Sequence, residues 1–579
     1  MLSSWIVIVV AFGYIGLLFA IASYGDRPGR GARGRAGVLI YPLSLAIYCT
    51  SWTFFGSVGF AARTGPEFLS IYIGPVIMVG LCTPLLLRVI RLAKAQKITS
   101  IADFIAARYG KSQPVAALVA LIAITGSVPY IALQLKAVAT SLETLLVNDS
   151  FGGGFAPVIG DIALIVTTAM ALFAVAFGTR HTDVTEHQHG LMLAVASESI
   201  VKLVAFLAVG ACVTFVLFGP HELLTRAVQS PEASHVLNYT PSASSFAAMT
   251  LLSFFATLLL PRQFHVGVVE NADESEVRRA RWMFPLYLVA INVFVIPIAL
   301  AGLIKFPFGY VDSDMYVLAL PLAAGSPWLT MIAFVGGLSA ATAMVIVESV
   351  ALAVMVSNTL VMPLLLQRRA ATSANADVGS IILKARRVAI FAVLLLSYLY
   401  YRSAGNAQLA SIGLLSFAAA AQLAPAFFGG LVWRRATALG AMGGMVAGIA
   451  VWPTRSCCRA SPMPGLLPPT SSATACSASR HCDRRRCSAL RCNRCCTAWS
   501  GACRSTSSLT SCYRSCGRRA RSSGCRPTCS ARRDSRPSPR TSAAGAARSR
   551  SATWSARPAN ISDPSGRAPR SRSSPRIIA

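Results

Sequence analysis

The chain has 579 residues, of which 54% are hydrophobic and only 13% are charged, and its mean hydropathy is +0.58. Soluble proteins carry about 25% charged residues, so these values exclude an ordinary soluble globular protein and indicate a membrane protein. The net charge of +31 would suggest nucleic-acid binding, but residues 453–579 alone supply +22 of it. The chain before and after residue 452 therefore needs two separate interpretations.

Apolar runs dominate the first 452 residues. About 20 apolar residues are needed to cross a bilayer as a helix, and twelve runs come close to or exceed this length. They cover residues 3–23, 37–60, 67–92, 114–146, 160–178, 189–218, 244–262, 282–306, 328–365, 387–402, 407–433 and 436–452. The pattern predicts an all-α polytopic membrane protein with twelve spans.

Lysine and arginine cluster in alternate loops between these runs. The first cluster is Arg27, Arg30, Arg33 and Arg35, and further clusters lie in 91–111, 278–281, 368–387 and 434–435. Basic loops stay on the cytoplasmic side of a membrane. The distribution therefore predicts a multi-pass plasma-membrane protein, of the bacterial inner-membrane type, whose N-terminus lies outside.

Two of the runs contain helix breakers at matching places. The second run holds Pro42, Gly56 and Gly59 around a polar and aromatic centre, and the seventh ends at Pro261, five runs later. Interrupted helices at corresponding positions are typical of inverted-repeat transporters, which hold their substrate at the breaks. Proline and glycine are also common in ordinary membrane helices, so this pattern alone leaves both interpretations open.

Four long stretches carry a resemblance to a known family. They read "YPLSLAIYCTSWTFFGSVGFAARTG", "ITSIADFIAARYGKS", "TRHTDVTEHQHGLMLAVASESIVKLVAF" and "LPRQFHVGVVENADESEVRRARW". Residues 1 to about 452 resemble the sodium:solute symporter family and, more narrowly, the symporter-like N-terminal module of hybrid sensor histidine kinases. The resemblance implies a leucine-transporter-type fold of thirteen helices, with a five-plus-five inverted repeat formed by spans two to six and seven to eleven.

The resemblance also implies a substrate site at the breaks, for a small polar, amino-acid-like solute. Its expected residues are Tyr48, Thr50, Ser51, Trp52, Phe55 and Ser57 in the second span, Tyr130 and Gln134 in the fourth, and Phe254, Phe255, Gln263 and His265 in the seventh. The alternative is that Trp52 and Phe55 only pack against neighbours or face lipid. We expect Arg262, between these groups, to be an anchor at the cytoplasmic membrane surface.

The coupling ion is expected to be Na⁺ or H⁺, with no cofactor. Sodium-coupled members place a hydroxyl pair where this chain has Val345 and Ile346, neither of which has a side-chain oxygen. Either the sodium site is lost, or Ser339 or Thr342, about one turn away, serves instead. Glu348 is ionisable at membrane depth, where such groups are usually functional.

A second charged group lies in the sixth span. Glu198 and Lys202 stand four residues apart, a spacing that allows an ion pair within one helix. The pair is expected to be structural, or to take part in proton coupling together with Glu348.

A histidine-rich loop precedes the sixth span. Its candidate metal ligands are His181, Asp183, Glu186, His187 and His189. The histidines lack helical spacing, and the stretch is similar to a family motif that is not a metal site. We therefore expect no metal here.

Residues 453–579 have a different composition. They contain 13 of the 16 cysteines and 25 arginines, but no lysine and a single histidine. The cysteines lack the paired spacing of zinc sites, and too few aliphatic residues are present to form a core, so the segment is predicted to be a disordered tail. An authentic arginine- and cysteine-rich tail that binds nucleic acid or metal is the alternative.

The genetic code offers an origin for this tail. Leucine codons of a GC-rich gene become cysteine codons when read one base out of frame, and "PTRSCCRASPMPG" back-reads to "AYTLLLPSLADAG" with permitted codons. We therefore predict that residues 453–579 are a frameshift product, and that the thirteenth helix and any cytoplasmic signalling domains are lost.

Two functions follow from these features. The first is an ion-coupled transporter whose partners are a small polar solute and the lipid bilayer, with no nucleic acid. The second is the sensory input module of a two-component histidine kinase that signals without net transport, with a response regulator as partner only where the kinase is intact. The chain shows no phospho-accepting histidine box, ATP lid or receiver pocket, so it is not expected to be an enzyme.

Overall fold

The structure is a computed structural model that describes residues 4–27, 37–146, 162–178, 188–364, 378–405 and 407–459. All of them belong to the first of two compact units, Met1–Pro469. Over these ranges the regular structure is helical, without strands. The α-helices are α1 Ser4–Gly25, α2 Gly37–Ser44, α3 Ser57–Thr64, α4 Ser70–Pro75, α5 Thr83–Ala95, α6 Ile101–Arg108, α7 Gln113–Leu146, α8 Ile162–Gly178, α9 His189–Ala211, α10 Pro220–Gln229, α11 Pro231–Leu237, α12 Ala243–Leu259, α13 Pro261–Phe264, α14 Glu274–Asn292, α15 Val295–Lys305, α16 Tyr316–Ala323, α17 Pro327–Val356, α18 Val378–Ala404, α19 Leu409–Ala421, α20 Ala424–Val432 and α21 Ala438–Arg459.

Short 3₁₀ and π segments extend several of these helices. The 3₁₀ segments are Leu45–Tyr48, Gly65–Leu69, Pro307–Gly309 and Ser313–Met315, and the π segments are Trp52–Gly56, Val76–Leu81, Cys212–Phe218, His265–Val269 and Ser357–Val361. π segments are often found at functional positions of membrane helices. Trp52–Gly56 follows a break in the second apolar run, and His265–Val269 continues the short helix α13 that begins after a break in the seventh.

Seven described helices are long and apolar enough to cross a membrane, and an eighth is added if one bent pair counts as a single span. The all-helical membrane architecture is therefore confirmed. Other apolar runs form shorter helices, among them α8 and the apolar part of α21, Ala438–Trp452. The number of twelve spans, the thirteenth helix and the five-plus-five repeat stay predictions.

Helix α17 is the centre of the bundle. It packs against α7, α8, α9, α16 and α18, and nearly all of its residues are buried. The close packing depends on two small residues, because Gly336 and Gly337 lie directly against the rings of Phe54 and Phe55. Helix α1 lies at the periphery, and its exposed large apolar side chains fit a lipid-facing position.

The seventh apolar run breaks where its sequence predicts. Helix α12 ends at Leu259, Leu260 is extended (φ −71°, ψ 134°), and α13 begins at Pro261 with a bend of 55°. A residue before proline disfavours the helical region, and proline is well suited to the first position of a new helix. The local sequence therefore accounts for this break.

The second run breaks at a place its glycines and proline do not mark. Pro42 lies inside α2 and Gly59 inside α3, whereas the chain leaves the helix at Cys49 (φ −80°, ψ 96°) and Thr50. The hydroxyl of Thr50 accepts a hydrogen bond from the backbone N–H of Trp52 at 3.2 Å and so caps the next half of the helix. The carbonyl groups before the break are satisfied by another helix.

A polar turn joins the second half of the seventh run to α14. The carboxylate of Asp273 accepts a hydrogen bond from the backbone N–H of Ser275, and the side chain of Glu276 completes a capping box. The hydrogen bonds from Ser275 hold the pKa of Asp273 below its usual value. Lys94 of α5 donates to the side chain of Asn271 at 3.0 Å, which fixes the turn against the neighbouring helix.

We expect Gly337→Ala to destabilise the protein, because a methyl group at this position would overlap the ring of Phe55. Overpacking of a dense core costs about 1 to 3 kcal/mol. Gly429→Ala is the matched control, since no atom lies within 4 Å of the position its methyl group would take. Thermal unfolding of both variants in detergent measures the difference, and an unchanged unfolding temperature for Gly337→Ala would contradict this packing.

Candidate functional site

A buried ammonium group lies at the first helix break. Lys202 of α9 is 1% exposed, and its Nζ donates hydrogen bonds to the carbonyl oxygens of Ala46 at 2.8 Å and Cys49 at 2.7 Å. The chain leaves the helix after Tyr48, and the Ala46 carbonyl also accepts a hydrogen bond from the backbone N–H of Cys49 at 3.0 Å. A positive charge is favourable at the carbonyl end of a helix. The side chain of Lys202 therefore occupies the oxygen ligands that the break exposes.

The ion pair expected between Lys202 and Glu198 is not formed in the described structure. The Glu198 carboxylate instead accepts a hydrogen bond from the hydroxyl of Thr342 in α17, and the Ser339 hydroxyl donates to the Glu198 backbone carbonyl at 2.9 Å. The break offers Lys202 two carbonyl acceptors, and α17 offers Glu198 a hydroxyl, so each charge has a hydrogen-bond partner on another element. Helical spacing alone could not reveal either partner.

A buried carboxylate lies at the second break. Glu348 of α17 is 0% exposed, and its Oε2 accepts hydrogen bonds from the backbone N–H of Arg262 at 3.3 Å and from Arg262 Nη1 at 3.2 Å. Its Oε1 accepts a hydrogen bond from the hydroxyl of Ser127 in α7. The first residues of a helix carry unpaired N–H groups and a partial positive charge, so a carboxylate is favourable there.

Arg262 is not the membrane-surface anchor that we expected. Its side chain is completely buried, and the carbon of its guanidinium lies 4.3 Å from the centre of the Tyr130 ring. The guanidinium and the Glu348 carboxylate together form a buried salt bridge. This arrangement places Arg262 inside the bundle, next to residues predicted for the substrate site.

Helix α7 connects the two breaks. The hydroxyls of Tyr130 and Thr50 share a hydrogen bond of 3.1 Å, and Gln134 Oε1 accepts the backbone N–H of Ser51 at 3.0 Å. The ring of Tyr130 also stacks on Phe417, with ring centres 5.8 Å apart. Tyr130 therefore contacts the first break through its hydroxyl and the second through its ring.

Four other predicted residues of the second span are also buried, but each meets structural partners. Tyr48 donates to the carbonyl of Ile71 at 2.8 Å, and Trp52 Nε1 donates to the carbonyl of Ala410 at 3.3 Å. The Ser57 hydroxyl shares a hydrogen bond with the Tyr72 hydroxyl. The ring of Phe55 packs on Gly337. The lipid-facing alternative is wrong for Trp52 and Phe55. Their observed contacts are packing contacts, and a role in substrate binding stays a prediction.

The predicted residues of the seventh span do not gather around Arg262. Phe254 and Phe255 are half-buried and lie beside Phe428, with ring centres 6.2 and 5.4 Å away. Gln263 lines a small, mainly apolar space with Leu45, Met78 and Phe284 among others. His265 Nε2 lies 3.4 Å from the carboxylate of Glu270.

Two partners of Glu348 in the observed site were not predicted. They are Ser127 and Arg262. A signal for Arg262 exists in the sequence. A carboxylate at membrane depth requires a donor, and an arginine that directly follows a helix-breaking proline is a candidate. Ser127 carries no such signal, because one serine in a long apolar helix is unremarkable.

Some predicted features lie outside the described residues. They are His181, Asp183, Glu186 and His187 of the histidine-rich loop, and nearly all of the predicted tail, residues 460–579. His189, the last histidine of that loop, is the first residue of α9. Where side chains are described, no group of three or more histidine, cysteine, aspartate or glutamate residues is placed to hold a metal ion.

Long apolar helices, two of them broken inside the protein and closed there by charged side chains, are the architecture of a helical membrane transporter. A scan of family models found no match to the chain. The chain is similar to an uncharacterized symporter, YhjB, of Bacillus subtilis (strain 168). The two are 25% identical over 425 residues, which are 72% of this chain and 81% of the relative.

A solved structure supports the same class. It is the substrate-bound, outward-open state of a Na⁺-coupled sialic acid symporter, matched with a TM-score of 0.52 over 78% of this chain and 98% of that chain. At 14% identity, this likeness shows a shared fold and leaves the solute open. Both similarities are to transporters rather than to enzymes, and neither points to a histidine kinase.

We expect Glu348→Gln to destabilise the protein by about 3 to 5 kcal/mol, because it leaves the Arg262 guanidinium buried without a countercharge. The double variant Arg262→Met, Glu348→Leu should lose less stability than Arg262→Met or Glu348→Leu alone, because it removes both charges. Glu222→Gln is the control, since the Glu222–Arg226 pair is exposed to solvent. Thermal unfolding in detergent measures the wild type, the control and these variants, and a loss in the double variant equal to the sum of the two single losses would rule out the charge pairing.

Proposed function

We propose that the protein is an ion-coupled symporter that carries a small polar solute across a bacterial plasma membrane. The observation that supports it is the pair of helix breaks, each closed by a charge from another helix. Lys202 lies on the carbonyl end at the first break, and Glu348 on the N–H end at the second. Such half-helix ends are where transporters hold solutes and ions near the membrane midplane. The symporter relative and the fold likeness agree with this proposal.

Among the two expected coupling ions, the contacts favour the proton. A sodium ion needs oxygen ligands, and the carbonyls of Ala46 and Cys49 already accept hydrogen bonds from Lys202. The hydroxyls of Ser339 and Thr342, the alternative sodium ligands, donate to Glu198. A lysine binds the break more strongly as a cation than as a neutral amine, so gain of one proton would strengthen this contact and its loss would weaken it.

Other charged or titratable groups surround this lysine. Glu198 lies on the same helix, Cys49 at the break itself, Arg262 at the second break, and Tyr14 of α1 near Glu198. Protonation of Lys202 would therefore change the electrostatic interactions at both breaks. We propose that protonation of Lys202 and occupation of the solute site are coupled through this shared set of charges.

We expect a pH gradient, acid outside, to drive uptake of a mixture of labelled L-amino acids into proteoliposomes without Na⁺. Lys202→Gln should abolish the gradient dependence, because it removes the group that gains the proton. Lys136→Gln is the matched control, since Lys136 also donates to two backbone carbonyls, those of Gly405 and Ala407, and neither of these carbonyls belongs to a break.

The sodium alternative gives a different result in the same vesicles. It predicts that a Na⁺ gradient at uniform pH drives uptake, and that the pH gradient does not. Absence of any uptake, combined with solute binding to the purified protein, would instead favour the sensory input module.

The finer expectations about origin and topology remain part of the proposal. We propose that the parent gene encodes a transporter-linked sensor histidine kinase, and that residues 453–579 arise from a frameshift. We also propose that the N-terminus lies outside the membrane. Sequencing the DNA around codon 452 tests the first two directly. A single open frame without a kinase downstream would contradict both.

A further inference from the structure

Arg262 presents two hydrogen-bond donors that the described structure does not satisfy. Its Nη1 donates to Glu348, whereas Nε and Nη2 have no hydrogen-bond partner, although the side chain is 0% exposed. Buried donors without partners are costly and rare in native proteins. A donor pair of this kind therefore points to a partner that binds during function.

The two unsatisfied donors have a definite geometry. In a guanidinium group, Nε–H and one N–H of Nη2 lie on the same edge and point in parallel. This edge matches the two oxygens of a carboxylate, which it binds in a bidentate manner. The face of the guanidinium is covered by the Tyr130 ring at 4.3 Å, and Nη1 is held by Glu348, so the free edge is fixed in direction.

We propose that the Nε–Nη2 edge of Arg262 is the subsite for a carboxylate group of the transported solute. The proposal rests on the proposed function, because it assigns a substrate class to the same two breaks. The free edge belongs to the residue that follows Pro261 at the second break, and Tyr130 links it to Thr50 at the first.

The surrounding charges select among oxyanions. Lys202, Arg262, Glu198 and Glu348 carry formal charges that cancel, and all four side chains are buried. A phosphate dianion would add two negative charges next to Glu348, which is unfavourable in a buried site. A zwitterionic amino acid adds none. The predicted solute therefore carries one carboxylate together with an amino group, which agrees with an amino-acid-like substrate.

The full-length chain, purified in detergent, tests the subsite by ligand-induced thermal stabilisation. The probes are the twenty common L-amino acids, acetate, L-lactate, inorganic phosphate, D-glucose and myo-inositol. Each stabilising amino acid is then compared with its carboxamide and with the corresponding decarboxylated amine. We expect stabilisation by one or more amino acids, and its loss when the carboxylate is replaced or removed.

Substitution of the arginine tests which residue receives the carboxylate. Arg262→Lys keeps the charge beside Glu348 but loses the two-donor edge, so we expect the half-saturating concentration of the amino acid to rise about tenfold or more. Arg63→Lys is the matched control, because Arg63 also pairs with a buried carboxylate, that of Asp314, outside the breaks. Elution volume and unfolding temperature without ligand establish that both variants are folded.

Several outcomes would overturn the subsite. They are equal stabilisation by the acid and its carboxamide, unchanged affinity in Arg262→Lys, stabilisation by glucose, inositol or phosphate alone, and no stabilisation by any carboxylate. Comparison of acid and carboxamide uses only the unmodified protein, so it decides the question even if Arg262→Lys fails to fold. Uptake of an uncharged solute would uphold symport and reject the subsite, whereas amino-acid binding without uptake would uphold the subsite and reject symport.

Discussion

Peptide groups at a break in a membrane helix need partners, because hydrocarbon supplies none and each unsatisfied group costs several kcal/mol. In this protein each break receives a charge from a different helix. Lys202 binds the carbonyls before the first break, and Glu348 binds an N–H group after the second. The sign of each charge matches the helix end that it meets. These two contacts supply hydrogen-bond partners to peptide groups at the breaks, which a dry interior does not otherwise provide.

The charges at the breaks also constrain one another. Glu348 requires Arg262 as a countercharge, and Arg262 in turn stacks on Tyr130, whose hydroxyl reaches Thr50 beside the first break. Helix α17 carries Glu348 at the second break, and its Ser339 and Thr342 hydroxyls donate to Glu198 on α9, the helix that carries Lys202. One central helix therefore contacts the charged residues near both breaks. Movement of either break would disturb the other through these shared partners. Such a connection is what coupling between an ion and a solute requires.

Glycine has a role in this centre through size rather than flexibility. Gly336 and Gly337 let the aromatic rings that follow the first break lie against α17. Close approach of helices through small residues is common in membranes, where lipid gives no hydrophobic drive for association. This close packing brings α17 near enough for the Thr342 hydroxyl to donate to the Glu198 carboxylate on the neighbouring α9.

The membrane class, the approximate positions of the apolar helices and the break at Pro261 could be predicted from the sequence. Hydrophobic length and proline geometry act locally, over a single turn or a single span. The same local information placed the first break near Pro42, Gly56 and Gly59, whereas it lies at Cys49 and Thr50. That position depends on an ammonium group more than 150 residues away in the chain.

The residue types of the site were also readable, but their partners were not. Glu348, Glu198 and Lys202 stand out as charges at membrane depth in the sequence. Only the packing of α7, α9 and α17 around the breaks decides that Lys202 binds carbonyls rather than Glu198, and that Arg262 is buried rather than at the surface. Sequence determines which groups must find partners in an apolar interior. Tertiary structure decides which partners they find, because the donors and acceptors come from helices distant in the chain.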